Sequence, residues 1–349
     1  MMSKSRKGWV IGAAFLLTLL SVLTMIAESA RAQPAADFYK GKQIRWIVGT
    51  AAGQDYDLWA RLIARHIVRY IPGSPTIVVE NMPGAGHILA TNYLFNTAAR
   101  DGTVVGMVSR NMTDAAVMGL PNVRFDPGRF NWIGSPEVSN RVMFVSPASG
   151  IRKVPDLFDH ELIVGAPGGA QGVTAAPILL KHLLGMRLKI VQGYHSPNDV
   201  VLAIARGEVG GVVNSIGGPE SARRQQWVAS GELRALFNME PEPLPNLDAP
   251  TIFDFVGSEE QRQVLTFFSN NVLLGRPLMA PPGVPAERVA LLRNAFDATM
   301  RDEAFRKEAA AMGFELAPKT GAEITSLVAA ALATPKVIVE KAEVASRGD

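Results

Sequence analysis

The sequence contains no cysteine. Disulfides, thiolate metal sites, cysteine nucleophiles and a lipid anchored through an N-terminal cysteine are thereby excluded. It also lacks a strong charge of either sign, with 35 Lys and Arg against 32 Asp and Glu. Four of the basic residues (Lys4, Arg6, Lys7, Arg31) and one acidic residue (Glu28) fall in the first 32 positions, which leaves 31 of each sign in the remainder. A neutral body of that kind argues against a nucleic-acid-binding face. Past Ala27 no apolar run reaches the roughly 18 residues of a membrane span. The familiar catalytic signatures are missing too. The five histidines (His66, His87, His160, His182, His195) form no i, i+4 pair around a glutamate, the arrangement that a zinc protease needs. Asp159-His160-Glu161 reads as a solvated loop before it reads as a metal site. There is no Gly-x-Ser-x-Gly elbow, Gly165 to Gly172 lacks the Gly-Lys-Ser/Thr ending of a phosphate loop, and Gly49 to Gly53 misses the spacing of a dinucleotide turn. The expectation is a protein that is not an enzyme and carries no cofactor and no metal.

What is present begins with an export signal. Lys4, Arg6 and Lys7 form a basic n-region, Trp9 to Ala27 is an almost uncharged apolar run, and Ala30-Arg31-Ala32 is a small-x-small cleavage pattern. Residues 1–32 are therefore expected to be removed, the alternative being an uncleaved membrane anchor, since about 19 apolar residues just span a bilayer. In a Gram-negative bacterium a chain that starts at Gln33 is placed in the periplasm.

The body repeats one unit. Gln43 to Val48 reads as a strand, Gly49 to Gly53 as a small-residue turn, and Trp59, Ile63, Ile67 and Tyr70 as the stripe of a helix that stops at Ile71-Pro72-Gly73. Thr76 to Val79 (strand), Pro83-Gly84-Ala85-Gly86 (turn), His87 to Ala98 (helix) and Thr103 to Val108 (strand) continue the alternation, which implies a mainly parallel sheet with helices on both faces. The pattern restarts with a strand at Glu161 to Val164, a glycine-rich turn over Gly165 to Gly172 and a helix over Val173 to Leu184. Leu188 to Val191, Asp199 to Arg206 and Val209 to Val213 complete this second unit. Asn131 to Ser146 reads as an extended crossing between the units, Leu233 to Phe237 as a return strand, and the proline-rich stretch Glu240 to Pro250 as a surface loop. The C-terminal part is helical, with Thr320-Gly321-Ala322-Glu323 opening its final helix as a capping box.

Two glycine-rich strand-to-helix turns, one per unit, are the candidate site. Free N–H groups at a helix N-terminus bind carboxylates or phosphates without a charged side chain; equally, the glycines simply permit tight connections. Arg110, just past the strand ending near Val108, stands where ligands of open α/β sheets sit, either to pair with a carboxylate or as a solvated loop residue. Tyr56 and Tyr194 flank the two turns, to stack on a ligand or to pack. Asp55 and Asp57 open the first helix as expected caps.

Taken together, these segments resemble the Bug family, the periplasmic solute-binding proteins of tripartite tricarboxylate transporters. Val48-Gly49-Thr50-Ala51-Ala52-Gly53-Gln54-Asp55-Tyr56-Asp57-Leu58-Trp59-Ala60-Arg61 matches the ends of the family's first-loop pattern. Val78-Val79-Glu80-Asn81-Met82-Pro83-Gly84-Ala85-Gly86 matches its V-V-E-N-x-P-G-A-G signature. Asp101-Gly102-Thr103, Gly165-Ala166-Pro167-Gly168, Gly207-Glu208-Val209, Gly231-Glu232-Leu233-Arg234-Ala235-Leu236 and Ala280-Pro281-Pro282-Gly283-Val284-Pro285 follow in the family's order.

The resemblance implies a two-lobed α/β fold like that of type II periplasmic binding proteins, with the ligand in a cleft between lobes. Lobe 1 is expected to comprise residues 33–136 and 236–349, and lobe 2 residues 137–235. It also implies ligand contacts from Thr50, Ala51, Ala52, Gly53, Gln54 and Tyr56 in the first lobe and from Ala166, Pro167, Gly168, Gly169, Gln171 and Thr174 in the second. Arg110 and Tyr194 join them from the reading above. Gly49-Thr50 replaces Pro-Phe, Gln54 the second glycine and Asp55 a small residue. An Asp55 facing the cleft would repel a dianion, which argues against a citrate-like ligand and leaves open an amino acid, an aromatic monocarboxylate or a polar ligand with a donor group. The implied function is capture of a small organic acid by lobe closure and its delivery to the large and small membrane subunits of a permease, by a monomer that binds no nucleic acid. The alternatives are a ligand-sensing partner of a membrane sensor kinase and, further off, a periplasmic hydrolase or isomerase.

Overall fold

The computed structural model describes residues 35–167, 172–194, 197–215, 226–244 and 247–347. The export signal, and Gly168, Gly169 and Gln171 of the second turn, lie outside the described residues. Among the described residues, eleven strands are arranged in two sheets.

The first sheet comprises β1 (Gln43–Val48), β2 (Thr76–Asn81), β3 (Val104–Met107), β4 (Asn131–Ser135), β10 (Leu278–Ala280) and β11 (Lys319–Thr320), in the order β11-β4-β10-β3-β1-β2. β1 runs parallel to both β2 and β3, as the repeated strand–turn–helix unit requires. The sheet is nevertheless mixed. β10 arrives from late in the chain and lies antiparallel between β3 and β4, and β11 pairs antiparallel with β4.

The second sheet comprises β5 (Arg141–Val145), β6 (Leu162–Pro167), β7 (Leu188–Tyr194), β8 (Gly211–Ser215) and β9 (Arg234–Asn238), in the order β7-β6-β8-β5-β9. β6 is parallel to β7 and β8, while β5 is antiparallel to β8 and β9. The expected crossing segment is thus resolved into two strands that belong to different sheets, β4 and β5.

Each sheet is covered on both faces. One face of the first sheet packs against the Asp55–Ile67 helix, whose stripe places Trp59, Ile63 and Ile67 in a core with Trp46, Val48 and Phe296. Trp59 stacks on Phe314 with ring centroids 4.1 Å apart. The other face holds Ile47, Leu94, Trp132, Met279 and Ile324. The second sheet buries Met143, Val164, Leu180 and Phe267 on one side and Phe144, Val200, Val212 and Trp227 on the other.

The C-terminal helices divide between the two bodies. Gly321–Leu332, opened by the Thr320–Glu323 capping box, sends Ile324 and Val328 into the first. Lys336–Arg347 turns back to place Ile338, Val339 and Ala342 in the core of the second. Together the two sheets, each with its own cores, form the two-lobed α/β architecture read from the sequence.

Candidate ligand site at the carboxyl ends of the strands

The first turn leaves β1 with Gly49, whose missing Cβ is a packing requirement because a methyl there would lie 2.2 Å from His87 Nδ1. Ala51, Ala52, Gly53 and Gln54 are exposed at its tip, and Thr50 and Tyr56 are half-buried. Two residues of the signature segments hold the loop. Asp57, fully buried, accepts from the Gly53 amide at 2.8 Å and from Arg61, and Asn81 Nδ2 donates to Thr50 O and to Asp57 Oδ1, both at 2.9 Å. Burial pushes the Asp57 carboxyl up, but Arg61, the Gly53 amide and Asn81 outweigh it and hold its pKa below the usual carboxylate value. The Gly53 N–H, expected to face a ligand, is therefore occupied within the loop. The N-cap of the helix is Gln54, whose side chain makes no cap.

Asp55 is not a cap, contrary to expectation. It is the ion-pair partner of Arg276, whose Nε donates to Asp55 Oδ2 at 2.7 Å. The same guanidinium pairs with Glu137, which lies between β4 and β5, and sits 5.0 Å from the centre of the Tyr56 ring. Burial alone would lower the Arg276 pKa; Glu137 and Asp55 reverse that and raise it. One buried cation thus ties the first turn to the crossing between sheets. It also removes the reason for expecting Asp55 to repel an anionic ligand.

Arg110 is not a solvated loop residue. Its amide donates to Tyr56 Oη at 3.3 Å, and its Nη1 is buried with no hydrogen-bond partner among the described residues. Burial lowers its pKa, with Tyr56, Arg276, Glu137 and Glu240 acting on it electrostatically. Beyond it lies a buried polar cluster that sequence reasoning missed. Arg141, on β5, donates to Phe268 O at 3.2 Å and to Asn271 Oδ1 at 2.9 Å, and lies over the Phe268 ring. Asn271 in turn donates to Asp114, on the Met112–Val117 helix of the first body, at 2.5 Å. Glu240, expected in a surface loop, is 3% exposed and accepts from the Arg141 amide. Burial pushes Glu240 up to about 7 and Asp114 up to about 6, against the pull of Arg141 and Arg110. Burial likewise brings Arg141 down to about 9. The local sequence offers little signal for this cluster beyond charged residues inside apolar runs, such as Arg141 at the head of Val-Met-Phe-Val.

On the second sheet, Ala166 and Pro167 end β6 in fully buried positions, and Thr174 Oγ1 donates to Pro167 O at 2.9 Å. Tyr194, at the end of β7, pairs in register with Pro167, and its ring lies against Gly165. The sequence-predicted residues therefore gather in two groups, Thr50 to Tyr56 with Arg110, and Ala166, Pro167, Thr174 and Tyr194. Among the described residues no hydrogen bond, ion pair or ring contact joins one group to the other.

The tripartite tricarboxylate transporter family receptor (TctC) model matches residues 60–344. No curated protein matches. A TctC solute-binding protein from Polaromonas, solved without ligand, is 18% identical, covering 87% of this chain and 99% of its own, with a TM-score of 0.68. MatC from Rhodopseudomonas palustris with bound malate is 20% identical over 85% and 99% of the two chains, with a TM-score of 0.58. Rpa4515 of R. palustris with adipate is 19% identical over 86% and 97%, also at 0.58. At such identities these structures bear on the fold, whereas the family match spans most of the chain. The chain belongs to the receptor family of the tripartite tricarboxylate transporters, the family that its first-loop and V-V-E-N motifs resemble.

Proposed function

We propose that the protein is a periplasmic receptor that captures a small carboxylate-bearing solute between its two bodies and delivers it to the large and small membrane subunits of a tripartite permease. The observation that carries this reading is Arg110: a guanidinium at the carboxyl end of β3 whose buried Nη1 lacks a partner. An unpaired buried donor on a cation is costly, and a ligand carboxylate is the group that best satisfies it. The relatives with bound malate and adipate support the same ligand chemistry. The ligand would meet Arg110, Tyr56 and the exposed loop Thr50, Ala51, Ala52, Gly53 and Gln54 on one side. On the other it would meet Tyr194, Thr174 and the turn from Ala166 and Pro167 through Gly168, Gly169 and Gln171.

The moving bodies are those built on the two sheets, hinged where the chain crosses between them, and a ligand that touches both favours the closed form. Because Arg276 neutralises Asp55, the reading extends to dicarboxylates. Arg110→Ala should weaken binding of the tightest-binding acid by about 1.5–3 kcal/mol, the scale of a charge-assisted hydrogen bond, with the fold intact. Calorimetry that finds unchanged affinity would remove Arg110 from the site.

A further inference from the structure

His87 holds a backbone conformation that a side chain disfavours. It has φ +79°, in the left-handed region, at the start of the Ile88–Asn96 helix. Glycine or asparagine would adopt this conformation more readily, so the imidazole itself must justify the position. Part of its role is visible. Nδ1 accepts the Ser109 amide at 3.1 Å, and the ring lies edge-on to Tyr56 with centroids 5.0 Å apart. Because Nδ1 accepts, the neutral ring carries its proton on Nε2. Burial draws the His87 pKa down to about 4, which keeps that tautomer neutral across the physiological range. No hydrogen bond engages Nε2 among the described residues. The ring also covers Gly49 and touches the strand-end residue Ser109, so it stands at the carboxyl ends of β1 and β3, beside Tyr56 and one residue from Arg110 in its contacts.

We propose that His87 is a ligand-contacting residue whose Nε2–H, aimed by the Ser109 amide, donates to an oxygen of the bound carboxylate beside Arg110. This deepens the carboxylate reading and rests on it. The first body would then offer one charged donor and one neutral donor.

Two measurements test this with malate and with adipate, each at millimolar concentration. In protein labelled with nitrogen-15 at histidine, Nε2 is expected to be the protonated nitrogen and to shift when a stabilising acid is added, while Nδ1 stays nearly still. His87→Gly, which removes the donor and fits the backbone, should lose about tenfold in affinity, and His87→Asn, which tolerates the backbone and keeps an amide donor, should lose less. An Nε2 signal unmoved by an acid that raises the wild-type melting temperature overturns the proposal, even where His87→Gly fails to fold. Undiminished binding by folded His87→Gly overturns it as well. If neither acid stabilises the wild type, the carboxylate reading fails first and the assignment of His87 falls with it.

Discussion

Glu240 and Asp114 are carboxyls held where a negative charge is poorly solvated. Arg141 and Arg110 face both, Asn271 donates to Asp114, and the Arg141 amide donates to Glu240, yet burial dominates and raises both pKa values. The folded state therefore keeps protons that the unfolded chain releases, over the window from 4.5 to about 7 for Glu240 and from 3.8 to about 6 for Asp114. Their contribution to stability is fully present below that window and is lost as pH rises through it. The urea midpoint should accordingly fall between pH 5 and pH 8, and Glu240→Gln, which cannot ionise, should flatten part of that fall. A midpoint with the same slope in the variant would show that Glu240 titrates normally. The residues at this scale were only partly readable in advance. Asp57 and Asn81 stood in recognised motifs, but Asp55 was read as a cap because its partner Arg276 is far away in sequence.

The turn from the Glu259–Leu273 helix into β10 is the tightest constraint among the elements. Gly275 has φ +60°, and a Cβ there would lie 1.7 Å from Glu137 O. Gly275→Ala should cost on the order of 3 kcal/mol through backbone strain and steric overlap, read as a drop in the denaturation midpoint. It should also displace Arg276 and so loosen the first turn. A variant as stable as the wild type would mean that the crossing has room to shift. β1, β2, β3, β6 and the helices that follow them were legible because strand, small-residue turn and apolar stripe are written locally. β10 was not, since three residues carry no usable period and its place between β3 and β4 depends on partners more than a hundred residues earlier in the chain. Glu240 was missed for a related reason: prolines mark a loop but do not say which of its residues turns inward.

For the molecule as a whole, the proposed closure predicts a measurable change in size. Scattering should give a smaller radius of gyration with a stabilising acid than without it. Arg110→Ala should lose that compaction at a ligand concentration that leaves it unsaturated. An unchanged radius at saturation would mean a preformed site and no closing motion. The placement of β10 also bears on when the protein can fold. Its central position means that the first sheet remains split, with β3 and β4 unbridged, until Leu278–Ala280 has been synthesised. The core of the second body likewise waits for the Lys336–Arg347 helix. Contacts of such long sequence separation form slowly, so both bodies are completed only late in folding.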